Sequence, residues 1–295
     1  MKVELSIIII SYNTSRLLDR CLATLIQSLK HVEFVYEIIV VDNHSSDKSI
    51  EMVRQNYKSV RLIENQENVG FGKANNQGAR LAIGEALLFL NSDIEVLDDA
   101  INKLLTFFKN TKQPVIVGGK LFNTDMTPQP SAGPAYTLKM IFTALFLKGD
   151  YTGLTRYSPN TTKKVDWIMG ACMMMSRRYF LDVGGFDEGI FMYMEEIDFE
   201  HRAVQKNATI YFYPDAHFIH VGAGSSNGRF APILNVYRGF IYFYKKHRSY
   251  AAQIILRSIL LLKSLSAIFL FTILNKNDDR KLYIESLKIP FSYLW

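Results

Sequence analysis

The chain has 295 residues, 48% hydrophobic and 21% charged, which is enough for one large α/β domain or two smaller ones and excludes wholesale disorder. The net charge is +6, yet from residue 237 onward there are ten Lys/Arg against three Asp/Glu, so the basic excess lies entirely in the tail. A nucleic-acid binder spreads its basic stripe over the folded domain, so that class is disfavoured, and an anionic membrane surface is the better partner for such a tail.

Residues 3–10 form a continuous apolar run, the kind of strand found inside a parallel sheet, and it breaks at Ser11-Tyr12-Asn13-Thr14. Leu17, Leu18, Cys21, Leu22, Leu25, Ile26 and Leu29 follow at helical spacing. A second strand over residues 37–41 ends in Asp42-Asn43, and Ser45-Ser46-Asp47 is expected to start a helix bearing Ile50, Val53 and Tyr57. A third strand (60–63) leads to a glycine-punctuated loop and helix (70–83), then to a strand ending abruptly in Asn91-Ser92-Asp93. Ile101, Leu104, Leu105 and Phe108 mark another helix, and 115–117 another strand. Alternating strands and helices predict an α/β fold with a mostly parallel, Rossmann-like sheet and helices on both faces. Residues 123–164 lose this pattern and read as an insertion over the site, with a helical apolar stretch at 136–147. Cys21 and Cys172 sit in no metal-spaced cluster, and the N-terminus has no long apolar stretch with a cleavage site. A reducing cytosol and no secretory signal are expected.

In open α/β sheets ligands bind beyond the carboxyl ends of the strands. Three polar strand ends should share that edge: Tyr12-Asn13, Asp42-Asn43 and Asn91-Ser92-Asp93. Asp93 is a candidate for contacting a metal or phosphate, or else caps the next helix. Asp42 can accept from a uracil or thymine imide or a ribose hydroxyl, or can cap a helix with Ser45. The loop Asn68-Val69-Gly70-Phe71-Gly72-Lys73-Ala74-Asn75 follows the third strand and lacks the dinucleotide fingerprint, which argues against nicotinamide or flavin chemistry. It can still bring backbone N–H groups and Lys73 to a diphosphate. Asp166-Trp167 precedes Gly170-Ala171-Cys172, where small residues admit a ligand to the backbone. Gly184-Gly185-Phe186-Asp187-Glu188 is a turn. Glu195, Glu196 and Asp198 open a helix whose dipole alone favours them. An apolar lead-in (Ile190, Phe191, Met192, Tyr193, Met194) can also raise a carboxyl pKa and make a base. His220 follows a short strand and is either a ligand or structural.

In order, the pieces SYN (11–13), VDNHSSD (41–47), NVGFGKANNQG (68–78), LNSD (90–93), GGFDE (184–188), MEEIDFEHR (194–202) and HVGAGSS (220–226) resemble the family 2 glycosyltransferases of GT-A fold. They are most similar to the rhamnosyltransferase-type branch that builds bacterial surface polysaccharides. The resemblance implies a catalytic domain over 1–232 and a helical, membrane-associating tail over 233–295. It implies that Tyr12, Asn13, Asp42, Asn68, Gly70, Lys73, Asn75, Asn91 and Ser92 hold a dTDP- or UDP-linked sugar, and that Trp167, Gly170 and Asp187 meet the sugars. Asp93 stands for the metal-binding carboxylate of the family's Asp-x-Asp motif, and His220 for the C-terminal histidine facing Mg²⁺ or Mn²⁺. Glu196 matches the expected general base, one methylene longer than the family's Asp, with Glu195 a rival. An acceptor saccharide on a polyprenyl diphosphate, at the cytoplasmic face of the cell membrane, would suit the tail. A sugar-1-phosphate nucleotidylyltransferase and a non-catalytic sugar-nucleotide binder are the alternatives. The first would want a glycine-rich basic loop directly after the first strand, where SYNTSR has none.

In the tail, residues 251–274 are strongly apolar but interrupted by Arg257 and Lys263, each costing about 2.5–3.5 kcal/mol at a bilayer centre. Lying on the membrane surface, spanning with Lys263 snorkelling, and packing on the chain's own domain are the three readings.

Overall fold

The computed structural model describes residues 2–222 and 230–291. In chain order its elements are β1 (Leu5–Ser11), α1 (Ser15–Ser28), β2 (Tyr36–Asp42), α2 (Ser49–Asn56), β3 (Arg61–Glu64), α3 (Phe71–Leu81), β4 (Ala86–Asn91), β5 (Ile94–Val96), α4 (Ala100–Asn110) and β6 (Val115–Phe122). The insertion supplies β7 (Ala132–Gly133), α5 (Leu138–Phe146), α6 (Gly149–Thr152) and β8 (Lys163–Val165). Then come β9 (Trp167–Ile168), β10 (Cys172–Ser176), α7 (Arg177–Val183), α8 (Glu195–Gln205), β11 (Thr209–His220), α9 (Phe230–His247), α10 (Tyr250–Ile273) and α11 (Asn277–Ser286).

The main sheet runs β3-β2-β1-β4-β10-β6-β11-β5, with β8 paired to β11. The first four strands are parallel, as the sequence pattern predicts. β1 shows why: its seven residues are all buried, and successive side chains enter opposite layers. Leu5, Ile7 and Ile9 pack with Leu18, Cys21, Leu22 and Leu25 of α1. Ile8 and Ile10 pack with Ala74 and Ala79 of α3 and Phe199 of α8. Burying both faces requires the continuous apolar run.

Three features differ from the pattern-based expectation. β10 inserts antiparallel between β4 and β6, so the sheet is mixed. The three-residue strand β5 pairs antiparallel with the end of β11. The helix expected from Ser45 begins at Ser49, because the side chains of Asp42, Ser45 and Asp47 close the preceding loop instead.

The tail is built onto the α/β layers. Leu234, Tyr237, Phe240, Ile241 and Tyr244 of α9 and Leu256 and Leu260 of α10 share one core with Ile141, Trp167, Met194 and Ile197. Arg257, Lys263 and Ser264 of α10 turn toward the protein. Arg257 donates to the Pro290 carbonyl, Lys263 lies over the Phe146 ring, and Ser264 bonds Ser286. The outward stripe, with Ile254, Ile255, Leu262, Leu265, Phe269 and Ile273, is exposed and carries no charge.

Candidate active site

The parallel register aligns the strand ends. Ser11 stands opposite Asp42, and Ile10 opposite Asn91. Side chains then lace the turns together. Asn13 takes a left-handed φ of 54°, and its Oδ1 accepts from the Ser46 N–H at 2.8 Å. Its own N–H donates to Ser45 Oγ. The buried Asp42 accepts from the N–H and Oγ of Ser45, both at 2.7 Å. Thr14 Oγ1 donates to Ser92 Oγ at 3.1 Å and so ties the first turn to Asn91-Ser92-Asp93. Behind these, Asn43 donates to the Gly70 carbonyl, Asn68 accepts from the Gly70 N–H, and the buried Asn75 donates to the Phe71 carbonyl. Gly70 is required here: its φ is 88°, and an added Cβ would stand 2.6 Å from the Phe191 carbonyl oxygen. Tyr12 is half-buried at the rim, and Lys73 half-buried in the first turn of α3. The result is a braced cradle lined by side-chain and backbone polar groups.

The β5–β11 pairing sets the second feature. It puts His220 opposite Ile94, so the His220 Nε2 lies 3.4 Å from Asp93 Oδ1. Gln129, from the insertion, fixes the ring. Its amide nitrogen donates to Asn123 Oδ1 (3.0 Å) and the His220 carbonyl (3.3 Å). Its Oε1 must therefore accept from His220 Nδ1 at 2.7 Å, so in the neutral ring the proton sits on Nδ1 and Nε2 is bare. Burial alone would raise the Asp93 carboxyl, but hydrogen bonding and charge from the His220 ring when it is protonated, together with backbone N–H groups, outweigh burial and hold Asp93 below the usual range. A bare Nε2 and a carboxylate oxygen are both acceptors and repel unless a proton or a cation lies between them. Asn91 Oδ1 is also buried without a hydrogen-bond partner among the described residues. These donors fit a hard divalent cation. Among the described residues no three His, Cys, Asp or Glu side chains converge as a metal cluster.

The third feature is α8. Tyr193 and Met194 both take left-handed φ and swing the chain sharply into the helix. A Cβ added to Gly170 would meet the Glu196 Cβ at 3.3 Å, so Gly170 makes room for that side chain. Glu195 Oε2 and Glu196 Oε2 are buried without hydrogen-bond partners among the described residues. Burial raises both carboxyls, Glu195 well above the ordinary value with the charge of Glu196 adding to it, while backbone N–H groups and Arg156 restrain Glu196. Asp198 is different. Burial is outweighed by Arg202, Lys246 and His247, which all contact it, and it stays ionised as the anchor of α9.

Two expectations are corrected. Asp187 is not free to meet a sugar, because it accepts from Lys246, Tyr242 and the Gly189 N–H and so docks α9. Trp167 is 3% exposed, donates to the Pro134 carbonyl and stacks on Tyr136, so it is a buried wall of the site. Of HVGAGSS, the turn residues Ala223, Gly224, Ser225 and Ser226 lie outside the described residues. Sequence reasoning also missed Gln129, Glu200 and Arg156. Glu200 follows Glu196 by one helical turn, a spacing that could have flagged it; the other two lie in the aperiodic insertion.

The family model described as Glycosyl transferase family 2 matches residues 6–184. The chain belongs to this family. Among similar proteins, a low-salt glycan biosynthesis hexosyltransferase, Agl10 of Haloferax volcanii, is 30% identical to the transferase over 70% of this chain and 64% of its own length. The rhamnosyltransferase WbbL of Escherichia coli is 29% identical, covering 72% of this chain and 82% of its own. An N-acetylglucosaminyl-diphospho-decaprenol L-rhamnosyltransferase of Mycobacterium tuberculosis is 26% identical over 75% and 77%. The crystal structure of Staphylococcus aureus TarS 1-349 superposes with a TM-score of 0.57 at 18% identity, covering 99% of this chain and 81% of that one, and supports the transferase's fold.

Glu200 carries a testable consequence. It is fully buried, accepts from the Ile168 N–H at 2.9 Å, and is raised well above the ordinary value by burial and by Glu196. Below the unfolded pKa, about 4.3, both states are protonated. Above it the unfolded chain ionises while the folded chain keeps its proton, so stability falls as pH rises. Glu200→Gln retains the acceptor and removes this effect. Its Tm should exceed the wild type's at pH 8, with the gap shrinking toward pH 4; a pH-independent gap contradicts the assignment.

Proposed function

We propose that this glycosyltransferase is inverting and divalent-cation dependent. It moves a sugar, with rhamnose the first choice, from a dTDP- or UDP-linked donor to a saccharide carried on a polyprenyl diphosphate, in surface-polysaccharide synthesis at the cytoplasmic face of the cell membrane. The observation that carries this reading is the pair of facing acceptors, Asp93 Oδ1 and His220 Nε2, at the strand edge, with Glu196 on a separate element. Rhamnose rests on the two rhamnosyltransferase relatives.

The turns around Tyr12, Asn13 and Asp42 hold the nucleoside by side-chain and backbone polar groups, and Lys73 with the N-terminal N–H groups of α3 faces the diphosphate. Asp93 and His220, with Asn91 Oδ1, would hold Mg²⁺ or Mn²⁺, which supplies charge neutralisation on the departing diphosphate when bound. Glu196 accepts the proton of the incoming hydroxyl from the face opposite the leaving group, so a single displacement inverts the anomeric centre. The raised Glu196 carboxyl must ionise first, so its acidic activity limb lies above the ordinary carboxylate range.

The membrane reading is supported by α10. Its 24 residues span about 36 Å and are apolar enough to cross a bilayer. Its inner side, however, packs on the protein, and both cations turn inward. Those features favour lying in the interface with the uncharged stripe down.

Glu196→Gln should lower kcat by about 10²–10⁴-fold with nucleotide binding nearly unchanged, measured by release of UDP or dTDP from a sugar-nucleotide panel and by calorimetry. Substantial remaining turnover would assign the base elsewhere, with Glu195 next in line. For the membrane, Leu265→Glu with Phe269→Glu should abolish co-sedimentation with anionic vesicles; binding that survives both changes excludes the outward stripe as the contact.

A further inference from the structure

Arg156 stands outside the chemistry above. Other half-buried cations near α8 are neutralised: Arg202 by Asp198, and Lys246 by Asp187 and Asp198. Arg156 is half-buried too, yet its Nε is buried without a hydrogen-bond partner among the described residues, and its guanidinium rests on the Trp167 ring, 5.5 Å from the centroid. Stacking on an aromatic face holds the group in place and leaves its in-plane N–H groups for an anion. Trp167 is followed by Ile168, whose N–H donates to Glu200, and by Gly170, which packs on Glu196. Arg156 and the Tyr136 ring, both stacked on Trp167, therefore lie beside that face of α8, with Asp150 also near Tyr136. A cation beside the residue that takes the acceptor's proton faces the acceptor.

The chain on either side of Arg156 points to the acceptor's other end. Leu154, two residues before it, is 60% exposed, and Tyr151 and Leu147 are also exposed. They follow α5, which packs against α10 where Lys263 meets Phe146. Exposed apolar side chains thus stand at Leu147, Tyr151 and Leu154, after α5 and along α6, within nine residues of Arg156.

We propose that Arg156 binds the phosphate of a lipid-linked acceptor, with the lipid chain lying along these exposed side chains. A guanidinium pairs with phosphate oxygens through two parallel charge-assisted hydrogen bonds, which an ammonium cannot reproduce. This inference rests on the transferase reading of the site.

The test uses the full chain, UDP and Mn²⁺ to fill the donor site, and three probes: farnesyl diphosphate, farnesol and inorganic diphosphate. Binding is followed by calorimetry and by tryptophan fluorescence, since Trp167 lies under the guanidinium. The wild type should bind farnesyl diphosphate more tightly than either other probe. Arg156→Gln should weaken farnesyl diphosphate by about 10–100-fold, leaving UDP and farnesol unchanged, and Arg156→Lys should fall between. Unchanged farnesyl diphosphate binding in Arg156→Gln overturns the proposal, as does an equal loss of UDP, which would put Arg156 on the donor. Inorganic diphosphate binding as tightly as farnesyl diphosphate overturns the lipid source. If Arg156→Gln does not fold, the Arg156→Lys titration and the wild-type probe order decide. Failure of UDP to bind the wild type counts against the transferase reading of the site, and is separate from any failure of Arg156.

Discussion

The pairing of three residues, Ile94 to Val96, with the end of β11 is the constraint on which the candidate site depends. β5 follows Asp93 directly, and β11 ends at His220, so an antiparallel register between them brings these two side chains face to face from positions 127 residues apart in the chain. The Val221 N–H donates to the Asp93 carbonyl and extends the ladder to the site itself. Gln129 then fixes the ring from the other side. The backbone ladder sets the distance, and one amide sets which nitrogen is bare. A register slip of one residue would turn His220 to the opposite face.

Burial acts on α8 in two opposite ways. Asp198 is buried against Arg202, Lys246 and His247 and stays ionised, whereas Glu195, Glu196 and Glu200 are raised by the same loss of water because no equal set of partners meets them. One helix therefore carries a structural anchor toward α9 and the candidate base Glu196 toward Gly170. Because Asp198 and Asp187 both bind Lys246, the tail helices and the catalytic layers share the same ion pairs as well as the same core. The uncharged outward stripe of α10 is thus joined to the site through one core and shared ion pairs.

Much of this was legible from local pattern. The apolar run of β1, the helical spacing of α1 and the polar ends of β1, β2 and β4 fixed a parallel edge with Asp42, Asn91 and Asp93 on it, because both periodicity and strand ends are local properties. β5 was not legible, since three residues between turn signals are too few for a period. β10 was hidden because its antiparallel insertion depends on distant partners. Gln129 and Arg156 lie in an aperiodic segment and reach the site only through tertiary folding. Asp187 and Trp167 had the right residue types for contacting sugars, but Lys246 and burial claim them. The inward turn of Arg257 and Lys263 could not be read from composition, which showed only that two charges interrupt an apolar helix.

The proposed cation site is incomplete on its own, with one carboxylate, one imidazole nitrogen and an amide oxygen unpartnered among the described residues, and the donor's diphosphate is proposed to complete it. Titration of Mn²⁺ into the wild-type chain, followed by electron paramagnetic resonance with and without UDP, tests this most directly. Weak Mn²⁺ binding to the bare protein that tightens when UDP is added is the predicted result, with the tightening lost in Asp93→Asn. Tight binding without nucleotide, or binding indifferent to UDP, would contradict it.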